Sequence, residues 1–156
     1  MTAKRTDAGG PVPVRMVAWD EAETSLAALR HTVFVREQGV PEALEWDGED
    51  GDCLHFLAEP GGRPVGTARL TPSGGIGRMA VLPEWRGRGI GTALMEAILA
   101  EARWQGHRAL HLNAQTHAVG FYERFNFRPA GGIFDDAGIP HRRMTLVLGG
   151  NREEKA

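Results

Sequence analysis

Arg86-Gly87-Arg88-Gly89-Ile90-Gly91 sets three glycines on alternate positions among two arginines, and an apolar helical pattern starts immediately afterwards. Glycine costs about 1 kcal/mol relative to alanine inside a helix, so three of them where a helix begins need a cause. A helix N-terminus carries unsatisfied N–H groups and about half a positive charge. Glycines there let an anion reach those groups, and Arg86 and Arg88 add forked hydrogen bonding suited to phosphate. The chemistry indicated is capture of a pyrophosphate. A Walker loop would end Gly-Lys-Ser/Thr, but this one ends Gly91-Thr92 without lysine. With no magnesium-ligand pattern either, a nucleotide hydrolase is excluded. The dinucleotide fingerprint G-x-G-x-x-G fails at Thr92, where its third glycine belongs. A plain glycine-rich turn between strand and helix remains as the alternative.

The elements that must carry this loop follow from the pattern of the chain. It has 156 residues, 42% hydrophobic and 24% charged, which fits one globular domain, 1–156, with its own core. A loose arm is expected up to about residue 11 and a polar tail from about 149 to 156. A net charge of −2 gives no global basic field for nucleic acid. No apolar run of about eighteen residues is present, so no membrane span is expected. The start, "MTAKRTDAGGPVP", lacks the apolar segment of a secretion signal, and a cytoplasmic location is the simplest reading. The single cysteine, Cys53, excludes an internal disulfide and reads as a small buried hydrophobe.

"VPVRMVAW" reads as a first strand. The segment from Asp20 to Gln38 reads as a helix with Leu26, Leu29, Val33 and Phe34 on one stripe, capped by Asp20 and ended by Gly39 and Pro41. "PEALEWDGEDGD" reads as a solvated acidic loop. "CLHFLAEP", "RPVGTARLTP" and "GGIGRMAVLP" read as a meander of three antiparallel strands. The helix after the glycines runs to about Gln105, with Ile90, Ala93, Leu94, Ala97, Ile98 and Ala102 on its apolar stripe. "RALHLNA" is a strand and "HAVGFYERF" a short helix, which Asn126 can close in the left-handed conformation. "HRRMTLVLG" is a last strand or hairpin arm.

The loop and its setting resemble a known family. Arg86 to Gly91 is similar to the Gln/Arg-x-x-Gly-x-Gly/Ala signature of the GCN5-related N-acetyltransferases, and a strand, "GRMAVLP", precedes it as in that family. "LRHTVFVREQGVP", "GRMAV", "LNAQTHAVGFYERFNF" and "GIPHRRM" resemble the bacterial subgroup with ElaA- and YjcF-type proteins. The last three also resemble the glyphosate N-acetyltransferases. The resemblance implies an α/β (α+β) fold: a mixed, mostly antiparallel sheet, flanked by helices and splayed open between strands four and five. It implies acetyl-CoA as donor substrate and transfer of its acetyl group to a primary amine by direct attack in a ternary complex. The pyrophosphate would lie on the N–H groups of Arg86, Gly87, Arg88, Gly89, Ile90, Gly91 and Thr92. The pantetheine would run along Met79, Ala80 and Val81 as an added strand, with Asn113 reaching one of its amides. Dimers are common in the family, so a homodimer is the assembly it implies.

Acetyl transfer needs a base, because a lysine-like amine has a pKa near 10.4. It needs an oxyanion site, and it benefits from an acid for the departing thiolate. By resemblance, Tyr122, the only tyrosine of the chain, is the acid. His141 in "GIPHRRM" is the base, a role suited to a group that titrates near neutrality. The N–H of Ala80 or Val81 would face the oxyanion. Arg30, Arg36 and Arg78 fall where the subgroup builds its acceptor pocket and would hold an anionic group; His55 is a further pocket candidate. The acidic loop would instead suit a cationic acceptor, so the acceptor stays open between small-molecule and peptide amines. The histidines show no ligand spacing, and no metal is expected. The competing class is a non-catalytic acyl-CoA-binding module, which would have no need of Tyr122 and His141 together.

Overall fold

The computed structural model describes residues 12–149. The expected arm lies outside the described residues, as does the expected tail beyond Gly149. Seven strands form one sheet in the order β1-β2-β3-β4-β5-β7-β6. They are β1 (Val14–Val17), β2 (Leu54–Ala58), β3 (Gly66–Leu70), β4 (Gly75–Val81), β5 (Ala109–Gln115), β6 (Arg128–Asp136) and β7 (Ile139–Val147). Every neighbouring pair is antiparallel except β4 and β5. The expected mixed, mostly antiparallel sheet is therefore present.

Strand alternation sends Phe56, Ala58, Ala68, Leu70, Ile76, Leu110, Leu112, Ala114 and Met144 to one face, where they form the main core. Helix α3 (Ile90–Trp104) covers that face with Ile90, Leu94, Met95, Ile98, Leu99 and Ala102. The buried stripe is shifted slightly towards Met95 and Leu99 from the expected one, and Ala97 sits at its margin. Helix α1 (Trp19–Arg30) packs Leu26 and Leu29 with Val17 and Leu57 on the opposite face. The second core is small because the same face of β2 and β3 also buries His55, Thr67 and Arg69.

Three local expectations are corrected. Ala18, not Asp20, stands at the N-cap of α1, and its N–H donates to the Glu21 carboxylate at 2.8 Å. The helix does not continue as α to Gln38; it passes into a π-helical turn at His31–Glu37, where the Gln38 N–H reaches back to Val33 O at 3.0 Å. The acidic stretch is not a solvated loop. It contains a short helix, α2 (Glu42–Glu45), and a 3-10 turn at Asp50–Asp52, with Glu45 and Asp50 buried.

Those buried carboxylates answer buried arginines. Arg30 is 1% exposed. Its Nε donates to Glu45 Oε2 at 2.6 Å and its Nη1 to Asp50 Oδ1 at 2.7 Å. Trp19 and Trp46 also flank the guanidinium, at 5.4 and 5.1 Å. Arg69 donates to Asp47 and Asp50 at 2.9–3.1 Å. Hydrogen bonds from Arg69 hold the Asp47 carboxyl well below the usual range. Burial pushes Asp50 upward, but the bonds and charges of Arg30 and Arg69 outweigh it and leave it lowered. The cluster ties the stretch 42–53 to α1 and to the sheet. Cys53 is buried beside it, its thiol pushed up chiefly by burial, as expected of an inert core residue.

Removing one partner of a buried pair strands the other, which costs roughly 3–5 kcal/mol. Glu45→Ala is expected to lower stability by about that amount in urea unfolding at pH 7. Because Asp47 and Asp50 are shifted downward, their contribution is fully present above the unfolded carboxylate pKa near 3.9. It fades as pH falls further, so the parent's urea midpoint should be level from pH 7 to 5 and drop below about pH 4. An unchanged midpoint at pH 3 would contradict this account.

Candidate active site

The two parallel strands β4 and β5 pair at only two positions, Gly75 with His111 and Ile76 with Leu112. Beyond them the strands part. The β5-facing edge of β4 from Gly77 to Val81, and the β4-facing edge of β5 from Asn113 to Gln115, then have no ladder partner in the sheet. This is the expected splay between strands four and five. A bulge in the β3–β4 ladder between Thr67 and Arg69 accompanies the parting. In it Arg78 adopts φ = 51°, a left-handed conformation uncommon for a side-chain-bearing residue. Its guanidinium is pinned by the Leu44 and Glu45 carbonyls and by Asp47. The ion cluster thus anchors the strand at the point where it turns away from its neighbour.

A cleft of about 830 Å³ occupies the opening. Met79, Ala80, Val81 and Asn113 line it from the parted strands, with Gly91, Phe121 and Tyr122 towards the α3 side. Val33, Phe34, Glu37, Gln38, Val40 and Leu44 form its opposite wall, and Gln115, Asp136 and His141 close one end. Since α1 and α3 lie on different faces of the sheet, the cleft can receive one reactant from each face.

The glycine question now has a fuller answer. Gly89 is the N-cap of α3 at φ = 81°, and Gly87 has φ = 76°. A Cβ at either would meet no atom of the chain, so backbone conformation is what demands glycine there. Gly91 is different: a Cβ would lie 3.2 Å from Phe121 Cζ, so its smallness seats that ring against the helix. No side chain caps α3, and the first helical bond runs from Ala93 N–H to Gly89 O at 3.0 Å. The N–H groups of Ile90, Gly91 and Thr92 are therefore left free for an outside acceptor. The Ile90 side chain itself is core. Arg88 lies over the Trp85 ring at 4.7 Å. Arg86 points elsewhere: its guanidinium pairs with Glu37 and the Val81 carbonyl.

Tyr122 sits on the short helix α4 (Val119–Glu123), which Asn126 closes at φ = 73° as expected. Phe121 and Phe127 pack edge-on against its ring. Its hydroxyl faces Met79 Sδ at 3.9 Å, a weak acceptor. Burial pushes the phenol up to about 12, so the proton stays on oxygen at neutral pH. His141 lies opposite Gln115 across the β5–β7 ladder and stacks on Phe134. Its Nδ1 is 2.7 Å from the Ile139 carbonyl. A carbonyl only accepts, so Nδ1 carries the proton and the neutral ring keeps its lone pair on Nε2.

Not all candidates converge. Arg30 and His55 are buried in the ion cluster and do not line the cleft. His55 Nε2 donates to Asp50 O at 2.9 Å, and burial pushes its pKa down. Arg36 is exposed and away from the lining. Arg78 does line it, but with its charge answered by Glu45 and Asp47. The reading overlooked Arg143, whose place on the same strand face as His141 was visible in "HRRM". It lines the cleft and, among the described residues, has no carboxylate partner. Phe34, Glu37 and Gln38, which only the folded turn brings to the opening, were not among the candidates, nor was Gln115 at the end of β5. Among the described residues there is no group of three or more side chains able to hold a metal, and no helix long and apolar enough to cross a membrane.

Comparison with known proteins agrees with this geometry. The family pattern described as "Acetyltransferase (GNAT) domain" matches residues 18–148. The chain is 38% identical over 120 residues to YjcF of Bacillus subtilis strain 168, named an uncharacterized N-acetyltransferase, covering 74% of this chain and 86% of that protein. It is 32% identical over 148 residues to the ElaA protein of Escherichia coli K12, covering 83% of this chain and 96% of that protein. The crystal structure of E. coli ElaA superposes with a TM-score of 0.77 at 30% identity, over 86% of this chain and 99% of the other. An acyl-CoA N-acyltransferase structure from Pseudomonas aeruginosa gives 0.77 at 29% identity, over 87% of this chain and 99% of the other. The chain belongs to the GNAT acetyltransferase family, whose members act on an acceptor with an acyl-CoA donor.

Tyr122 can be checked directly, because no other tyrosine contributes to the signal. Ultraviolet titration of the folded protein is expected to show no ionised phenolate at pH 10, where a free tyrosine is about half ionised. A midpoint near 10 in the folded state would contradict a buried, proton-retaining hydroxyl.

Proposed function

We propose that the protein transfers the acetyl group of acetyl-CoA to a primary amine, by direct attack within a ternary complex. The observation that carries this reading is the parted pair β4–β5, with a protonated phenol and an imidazole lone pair lining one cleft. The free edge of Met79–Val81 suits the amides of a pantetheine arm, and exposed Asn113 suits another of them. The uncapped N–H groups at the head of α3 suit the diphosphate, with Arg86, Gly87, Arg88 and Gly89 forming the loop around it.

In the proposed reaction the amine enters from the α1 side as an ammonium. His141 Nε2 takes its proton, directly or through one water, and the freed nitrogen attacks the thioester carbon. The carbonyl π pair moves onto oxygen, where the N–H of Ala80 or Val81 receives it. Collapse of the intermediate breaks the C–S bond; the Tyr122 hydroxyl gives its proton to the departing thiolate, and the second proton of the attacking nitrogen, lost as the amide forms, returns through water to the phenolate. Burial keeps the Tyr122 phenol protonated, so it has a proton to give at neutral pH.

On the acceptor side, Arg30 and Arg78 are neutralised within the fold and Arg36 lies off the cleft, so these three give no support to an anionic acceptor. A panel of primary amines assayed with acetyl-CoA, following release of free thiol, tests the activity. Thiol release that depends on an amine supports the reading; tight CoA binding with no turnover on any amine would favour a non-catalytic acyl-CoA-binding module.

Three variants test the assignments. Gly89→Asp places a side chain at a left-handed position and negative charge against the diphosphate, and is expected to abolish measurable CoA binding by calorimetry in a folded protein. Unchanged affinity would sink the phosphate loop. On an accepted amine, Tyr122→Phe and His141→Asn should each lower turnover roughly a hundredfold or more, with CoA affinity kept. His141→Asn should also flatten the acid limb of the pH–rate profile. Parental rates and an intact acid limb would move acid and base elsewhere.

A further inference from the structure

The contact between Arg86 and Glu37 joins two parts of the cleft that serve different reactants. Arg86 Nη1 and Nη2 donate to the two Glu37 carboxylate oxygens at 2.8 and 2.7 Å, a fork-to-fork pair. Arg86 Nε donates to the Val81 carbonyl at 2.9 Å. A planar guanidinium has two edges able to grip an oxyanion bidentately. Glu37 takes one of them whole, and Val81 takes the Nε of the other. The same bond is the main cause of the lowered Glu37 pKa and the raised Arg86 pKa.

Glu37 ends the π-helical turn that walls the cleft on the α1 side. Its neighbour Gln38 accepts a hydrogen bond from Gln115 Nε2 at 2.9 Å, at the end of β5. Adjacent residues of one turn therefore hold the two arms of the splay, one at the end of β4 and one at the end of β5.

We propose that Glu37 is an internal competitor of the donor's diphosphate: it holds Arg86 in the donor-free protein, and donor binding transfers the guanidinium from carboxylate to phosphate. This rests on the acetyl-CoA reading above. The loop Arg86–Gly91 is the proposed phosphate site, so Arg86 lies within side-chain reach of it. To grip a diphosphate with the Nη1–Nη2 edge, it must release Glu37. Release of Glu37 frees one end of the turn while Gln38 still holds the other. Glu37 is then a positioning residue that acts on the donor through Arg86, and the donor site is linked through it to the wall facing the acceptor.

The test needs no acceptor. CoA is titrated by calorimetry into the parent, Glu37→Gln, Arg86→Ala and the double variant, each shown to be folded by its thermal transition. Glu37→Gln keeps the shape and removes the charge. It is expected to bind CoA up to about fivefold more tightly, the scale set by an exposed ion pair. The gain should vanish in the Arg86→Ala background, a result that a general loosening of the turn would not give. Equal or weaker binding by Glu37→Gln, or a gain that survives without Arg86, would overturn the proposal while leaving the donor reading in place. Failure of the parent to bind CoA at all would overturn both.

Discussion

Two parallel strands that stop pairing after two residues are the constraint on which the rest of this molecule depends. Backbone N–H and C=O groups left without partners are costly when buried, so a sheet does not open in its middle without support. Here β4 and β5 part beyond Ile76 and Leu112, and other features hold the gap. The bulge at Arg78 turns β4 aside, and Phe121, seated against Gly91, fills the α3 side. The turn at Glu37 and Gln38 spans the mouth. The opening is useful because its edges are an unfilled place in a ladder, and a ligand with amides of its own can complete it.

The ion cluster around Arg30 gives this arrangement its rigidity. Its charges are not arranged to meet a substrate; they meet one another. Buried pairs of this kind contribute little net stability over an apolar core, but losing one partner is expensive. Their value here is positional. Arg30, Arg69 and Arg78 draw the acidic stretch onto the α1 face of the sheet, and that stretch supplies Leu44 to the cleft wall. The same pairing explains why Arg30 and Arg78 pointed to one kind of substrate and the acidic loop to the opposite kind: Glu45, Asp47 and Asp50 are their counter-ions.

Much of the architecture was legible because it rests on local patterns. The meander, the helix after the glycines and the closing role of Asn126 follow from strand and helix periodicity and turn residues, and the place of the splay from the family resemblance. Tyr122 and His141 were singled out by that resemblance, and both line one cleft. What stayed hidden depends on contacts far apart in the chain. Nothing in "LRHTVFVREQGVP" marks the change from α to π geometry, which brings Glu37 and Gln38 to the opening. Arg30 looks like a solvent-facing helix residue until Glu45 and Asp50 fold over it. Arg86 was read by its neighbours in sequence, whereas its partner lies 49 residues away.

The central claim is that the free edge of β4 and the head of α3 together receive the acetyl donor. Titrating CoA into isotope-labelled protein and following backbone amide resonances tests it most directly. The largest shifts are expected at Met79–Val81 and Gly87–Thr92, with the amides of β1 and β2 nearly still. Shifts concentrated at the sheet's outer strands, with Met79–Val81 unmoved under saturating CoA, would contradict the account.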